Sequence, residues 1–398
     1  MKKLLLLIAS VAFSFLVFEI GLRIAAISYP VFNIIDPHRG FAMAPGAEGW
    51  HVGEGRAYIR INSDGLRDQE HQIEKPDNTI RIAVLGDSYA QAFQLPMEQA
   101  FWWVLGEELA NCPALEGQRV EVINFGVGGY GTAQELLTLR HHAWKYDPDV
   151  VLLAFLTGND ITDNSYALRK NPTVPYFVLQ DGALVLDDRF RTPTFDFKLS
   201  IHYGEISRWI NRLRTIQLLK QARRMRFGQA AKAPTGPREA LARYNVPAGL
   251  EDGLDHAIYT PPPNETWAEA WRVTEELLAL MADDVRRNGT DFWLVTLTNG
   301  IQVHPDPDVR RAFMEWKEVD DLLYPDRRVR ELAKAQGIPV VTLVEPLADY
   351  AEAQNAYLHG FDDTLGQGHW NDVGHSVAGK EIAAQMCRNP SPAMRSQQ

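Results

Sequence analysis

Four short segments carry residue types suited to nucleophilic chemistry, and three of them directly follow an apolar run. The run Arg81-Ile-Ala-Val-Leu85 leads into Gly86-Asp87-Ser88-Tyr89. A serine just past a buried strand sits where a reacting group is useful. Gly86 permits a tight turn, and a following helix would aim its positive end at an anion. Taken alone, Ser88 reads first as a helix cap. The Gly-x-Ser-x-Gly elbow of α/β-hydrolases is absent.

The run Val120-Glu-Val-Ile-Asn-Phe125 leads into Gly126-Val-Gly128-Gly129-Tyr-Gly131. Gly126, Gly128 and Gly131 match a dinucleotide fingerprint, which wants an acid about twenty residues on, at the end of the next strand. Tyr146 and Asp147 fall there instead, before the next strand. The other reading is a backbone held close to a substrate with an amide N–H free to donate. The run Val150-Val-Leu-Leu-Ala-Phe155 leads into Thr157-Gly158-Asn159-Asp160. Asn159 can donate its amide to a developing oxyanion, or can simply form a turn. Near the C-terminus, Gly368-His369-Trp370-Asn371 opens a helix. His369 can face the same edge of a sheet as Ser88, 281 residues away, only if the fold unites them. His375, one to two turns into that helix, packs or faces water.

The elements that must position these residues read as an alternating α/β pattern. Two further strand-like runs are Asp291-Phe-Trp-Leu-Val-Thr296 and Pro339-Val-Val-Thr-Leu-Val344. Short, apolar, β-branched runs are what strands buried on both faces require. Helical stretches lie near 98–110, 132–146, 266–288, 327–336 and 371–386. Together they predict a parallel sheet with helices on both sides and ligands at the strands' carboxyl ends. Residues 29–78, rich in Gly, Pro and His, read as an irregular lead-in. Residues 166–263 read as an insertion over one face of the sheet, with turn clusters at Asp181-Gly182, Pro234-Thr-Gly-Pro237 and Pro261-Pro-Pro263. Within it, 206–227 carries seven Arg or Lys and no acid, with Ile206, Trp209, Ile210, Leu213, Ile216 and Leu219 near helical spacing. Such a helix can lie on an anionic membrane or polymer, or can be a surface helix whose charges are solvated. Residues 389–398 are a tail.

Composition narrows the class. The chain has 398 residues, a net charge of −11 and 45% hydrophobic residues, which fits a globular protein and argues against a nucleic-acid partner. Met1-Lys2-Lys3 precedes an uncharged run from Leu4 to Phe18. Counting through Glu19 and Arg23, which are four apart and can pair, the stretch Leu4 to Ile27 is long enough to span a bilayer. Residues 1–28 thus read as a signal-anchor, with the basic start holding the N-terminus inside and the remainder exported; a cleaved signal is the competing reading. Cys112 and Cys387 cannot build a disulfide scaffold or a four-cysteine zinc site. They form one disulfide outside the cytoplasm or remain two buried thiols. No metal or cofactor site is expected.

The four segments, in this order, resemble the blocks of the SGNH (GDSL-type) hydrolase family. Gly86-Asp87-Ser88 looks like the first block, with Ser88 as nucleophile. Asn124 to Gly129 looks like the second, with Gly129 as the oxyanion-hole glycine. Gly158-Asn159-Asp160 looks like the third, with Asn159 as the oxyanion-hole side chain. His369 looks like the general base. The match covers 79–165 and 264–388. It implies a three-layer α/β/α, flavodoxin-like fold and metal-free chemistry on acyl esters; the Trp and Arg residues of the insertion would suit an acylated polysaccharide or other anionic polymer as the substrate. The family commonly has an Asp three residues before the His; here that position is Gly366. Asp363 is the nearest substitute within reach of His369 Nδ1 after a small loop shift; otherwise a backbone carbonyl orients the ring. The resemblance implies ester hydrolysis, with acyl transfer to an exported glycan as the alternative; the missing Asp adds a third reading, a catalytically silent binding module.

Overall fold

The structure is a computed structural model describing residues 1–191, 204–231 and 254–395. The turn cluster at 234–237 lies outside the described residues. An apolar helix, α1 (Lys2–Ile24), leads into two antiparallel hairpins: β1 (Asn33–Asp36) with β2 (Gly40–Met43), and β3 (Glu48–Gly53) with β4 (Gly55–Arg60). The lead-in is therefore ordered, contrary to its irregular reading. Strand β4 alternates in burial, and its Ala57 and Ile59, with Ile61 just past its end, pack beside Phe93, Val127 and Tyr130.

The central sheet follows. Its strands are β5 (Thr79–Gly86), β6 (Arg119–Asn124), β7 (Val150–Leu156), β10 (Asp291–Leu297) and β11 (Val340–Thr342). All pairings are parallel, in the order β11-β10-β7-β5-β6. Between these strands run α2 (Ser88–Gln91), α3 (Phe101–Ala110), α4 (Thr132–His141), α5 (Asp160–Asp163), α6 (Tyr166–Arg169), the hairpin β8 (Tyr176–Gln180) with β9 (Ala183–Asp187), α7 (Glu205–Asn211), α8 (Arg214–Ala231), α9 (Glu265–Arg287), α10 (Pro307–Lys317) and α11 (Tyr324–Ala335). After β11 come α12 (Val344–Gln354), α13 (Asp372–Arg388) and α14 (Pro392–Arg395).

Period-two alternation divides each central strand between two cores. From β7, Val151, Leu153 and Phe155 point to one side, where α4, α9 and α11 pack. Val150, Leu152, Ala154 and Leu156 point to the other, under α3, α12 and α13. The result is a three-layer α/β/α arrangement, as a sheet apolar on both faces demands. Helices α3 and α13 lie close because Gly379 has no side chain; a Cβ there would fall 2.5 Å from the Phe101 carbonyl oxygen. Just past α3, Cys112 is disulfide-bonded to Cys387 in α13, with Cα atoms 5.8 Å apart.

The strand order determines where a site can form. The chain runs from β5 out to β6 and then crosses back to β7 on the other side of β5. Loops leaving β5 and β6 therefore part at the carboxyl end of β5, opening the crevice in which doubly wound sheets bind ligands.

Candidate active site

Ser88 lies at that crevice, two residues past the end of β5. The chain turns sharply there because Gly86 has no side chain: a Cβ would stand 2.9 Å from the Ala90 Cβ and 3.2 Å from the Ala154 Cβ. Buried Asp87 caps the short helix by accepting from the Tyr89 amide at 2.9 Å. The capping role that Ser88 alone could have filled is thus taken by its neighbour, and the serine hydroxyl is left for another partner. That partner is His369, whose Nε2 accepts from Ser88 Oγ at 2.7 Å.

His369 Nδ1 donates to Glu54 Oε2 at 2.5 Å, and the His369 backbone amide donates to Glu54 Oε1 at 2.6 Å. One carboxylate thus grips both the ring and the main chain of a single residue. Holding the proton on Nδ1 leaves Nε2 as the acceptor that Ser88 needs. Burial pushes the Glu54 carboxyl up, but the hydrogen bonds and charge of His369 outweigh it and hold the group below the usual carboxylate range.

This corrects the expectation for Asp363. The ring nitrogen assigned to it is occupied by Glu54, and the Asp363 side chain lies outside the described residues. Glu54 forms the tip of the β3–β4 hairpin, between Gly53 and Gly55, in the segment that reads from sequence as irregular. The available signal was Gly-Glu-Gly between two alternating runs, which marks a hairpin with an acid at its tip. Gly366, where the resemblance placed an acid, has a left-handed φ of 87° and packs against Tyr357 and His304.

Two features hold the His369 loop. Gly368 has φ 77°, and a Cβ on it would fall 2.0 Å from Glu54 Oε1, so glycine is required for both the turn and the approach of the acid. Its carbonyl accepts from Tyr89 Oη at 3.0 Å and lies 2.7 Å from Nδ1 of buried His359. Beyond the loop, Asn371 caps α13 through the Gly374 amide at 3.0 Å. His375 is buried and its Nδ1 accepts from the Phe101 amide, a packing role.

The remaining sequence candidates converge on the same corner. Asn159 Nδ2 donates to Asp87 Oδ2 at 3.3 Å, which places the amide beside the serine turn. Gly129 has φ 81°, and its carbonyl accepts from Arg169 at 2.5 Å. Next to it, a Cβ on Gly128 would stand 3.5 Å from the Ser88 Cβ. The spacing of the glycines has a local cause. A Cβ at Gly126 would stand 2.4 Å from the Ala90 Cβ, and one at Gly131 2.9 Å from the Asp163 Cβ. Asn124 ties the layers together, donating to the carbonyls of Arg67 and Ala90 and accepting from the Gly126 amide. Behind Ser88 lies an acidic set that sequence reasoning did not single out. Burial raises Glu135 and Asp160 well above the carboxylate range and Asp163 to about 7. Both Glu135 oxygens lack a hydrogen-bond partner. Among the described residues, no group of three or more His, Cys, Asp or Glu is arranged to hold a metal ion.

No family model matches the sequence, and neither does any curated protein. Solved structures similar to the chain include a lipase/acylhydrolase from Enterococcus faecalis, at 13% identity and TM-score 0.37, covering 79% of this chain and 98% of that one. A lipolytic protein of the G-D-S-L family from Desulfitobacterium hafniense matches at 12% identity and TM-score 0.35, covering 77% and 98%. The acetyl xylan esterase AlAXEase matches at 13% and 0.36, covering 77% and 98%. At such low identity and superposition, function has to be argued from the side chains.

Proposed function

We propose that the chain is a serine-dependent ester hydrolase of the SGNH type, anchored to a membrane by α1 with its catalytic domain exported. The observation that carries this reading is the continuous chain Ser88 Oγ–His369–Glu54, with contacts of 2.7 and 2.5 Å. Three elements far apart in sequence converge on it, which no capping or packing role requires.

In the proposed reaction, Ser88 Oγ attacks the ester carbonyl while His369 Nε2 takes its proton. The tetrahedral oxyanion is held by the backbone amides of Ser88 and Gly129 and by Asn159 Nδ2, each donor worth about 3 kcal/mol. Collapse expels the alcohol, which receives the proton from His369. Water then repeats the sequence on the acyl-enzyme. Glu54 keeps the ring in the productive tautomer and stabilises the imidazolium that forms in both halves.

A catalytically silent module would fit a His369 with no acid beside it; the Glu54 carboxylate on Nδ1 favours the enzyme reading. Two observations support anchoring and export. Helix α1 has 23 residues, and its apolar side chains are largely exposed. The Cys112–Cys387 bridge suits an oxidising compartment. The experiment is esterase assay of the full chain on short-chain nitrophenyl esters and on acetylated glycans. Ser88→Ala is expected to lower kcat by at least about 10³-fold, and wild-type turnover by that variant would end the proposal. Labelled acetyl released as free acetate supports hydrolysis; its appearance on a sugar supports transfer.

A further inference from the structure

The pair α7–α8 inverts the polarity of a soluble helix. Its buried side chains are polar: Asn211, Thr215, Gln217 and Gln221. Its large apolar side chains face outward, with Ile206 77%, Trp209 64%, Ile210 46%, Leu219 62% and Met225 56% exposed. A soluble surface helix does the opposite, and an exposed apolar patch of this kind marks an interaction site. The same segment bears Arg212, Arg214, Lys220, Arg223, Arg224 and Arg226 and no acid from 206 to 227.

The patch is fixed to the point where α1 ends. Glu19, in the last two turns of α1, accepts from the amides of Arg214 and Thr215 at 3.0 and 2.9 Å, capping the first turn of α8. Arg23 donates to the Arg212 carbonyl at 2.9 Å. Gln217 Oε1 receives the Tyr29 amide and the Ser28 hydroxyl, locking α8 to the chain that leaves α1. A bilayer core needs about twenty residues of helix. Twenty residues from Leu4 reach Arg23, so Glu19 lies about 6 Å below the surface at 1.5 Å per residue. That is the depth at which interfacial amphipathic helices bury their apolar face.

We infer that α7–α8 lies in the headgroup layer of an anionic bilayer, with Ile206, Trp209 and Ile210 immersed and the arginines on acidic lipid phosphates. The inference rests on α1 crossing the membrane and is independent of the esterase reading. Interfacial Trp and basic residues are the standard means of holding such an element at this depth. The β3–β4 hairpin is joined to the same platform, since the Ser28 hydroxyl also lies 3.0 Å from the Glu48 carbonyl oxygen and shares its one proton between that oxygen and Gln217.

The test uses full-length chain reconstituted in phosphatidylcholine vesicles and in vesicles one-third phosphatidylglycerol. Cys112 and Cys387 being paired, Ile206→Cys provides a single thiol for an environment-sensitive fluorophore, with exposed Ile73→Cys, whose carbonyl accepts from Arg81 near the amino end of β5, as the control. Thermal melting checks that each variant is folded. The Ile206 probe is expected to be quenched by spin-labelled lipid, more strongly in the anionic vesicles, and the Ile73 probe to remain unquenched. Replacing Arg223, Arg224 and Arg226 by Glu is expected to weaken seating by about 10⁴-fold, at roughly fivefold per cation removed and again per acid added. It should abolish the dependence on anionic lipid while the melting temperature holds. An unquenched Ile206 probe, quenching indifferent to lipid charge, or protection of the probe by a soluble polyanion in neutral vesicles would each overturn the inference.

Discussion

Replacing Glu54 by Gln tests the least expected element of the site. The change keeps size and one acceptor oxygen but removes the charge. Two contacts are at stake, at 2.5 Å to the ring and 2.6 Å to the backbone amide of His369. When His369 becomes imidazolium, it gains a charge close to the Glu54 carboxylate. At an effective dielectric near 20, such a pair about 4 Å apart contributes roughly 4 kcal/mol. Both side chains are 26% exposed, so solvent screening brings that figure down to about 3 kcal/mol. Loss of tautomer control adds to it, and in serine hydrolases the combination reaches about 10⁴ in kcat. We therefore expect E54Q to lower kcat by about 10²- to 10⁴-fold with KM little changed, because Glu54 touches the base and not the ester. Glu54→Asp should fall between, its carboxylate withdrawn by one methylene. Asp363→Asn should stay within about threefold of wild type on the same reasoning. The assay is steady-state hydrolysis of a nitrophenyl acetate by folded, full-length variants. A folded E54Q enzyme within threefold of wild type, or an Asp363→Asn variant that reproduces the large loss, would refute the assignment.

Three further outcomes follow from the geometry. Gly368→Ala places a methyl 2.0 Å from Glu54 Oε1 and strains a φ of 77°, so kcat should fall by at least about 10²-fold; combined with E54Q the losses should not add, as a double-mutant cycle can read. Asn159→Ala should reduce kcat by about 10²- to 10³-fold with KM nearly unchanged, the pattern of a lost oxyanion donor. Glu135→Gln should stabilise the fold at alkaline pH. Burial raises the folded-state pKa of Glu135, so the unfolded chain loses its proton first, and stability falls as pH rises above the ordinary carboxylate range. The variant's melting temperature should exceed wild type by at least about 2 °C at pH 8 and converge with it near pH 4; an equal gain at both pH values would show that the charge is not the cause.

Legibility in the sequence followed the range of the interaction. The runs ending at Leu85, Phe125, Phe155 and Thr296 were readable as buried strands because a strand apolar on both faces needs a local stretch of β-branched and aromatic residues. Ser88, the Gly126–Gly131 turn and Asn159 stood out because each follows such a run, and a parallel sheet places those positions on one edge whatever lies between. Helix α10 is not legible in the sequence, since its short amphipathic stretch sits among charged residues. The hairpins before Thr79 look irregular in sequence because four- to six-residue strands broken by Gly and Pro leave little periodicity.

The sequence alone determined the layers, the edge of the sheet where chemistry gathers, and an apolar N-terminus long enough to span a bilayer, because these follow from local patterns of side-chain polarity. Tertiary structure decided the partners. Glu54 and His369 are 315 residues apart and meet only because the hairpin folds over the end of β5, and Gly368 leaves room for a carboxylate at that point. Glu19 likewise found its role at the first turn of α8, 195 residues away. A hydrogen bond between distant residues leaves no periodic trace in the chain, since its geometry exists only once the core has packed.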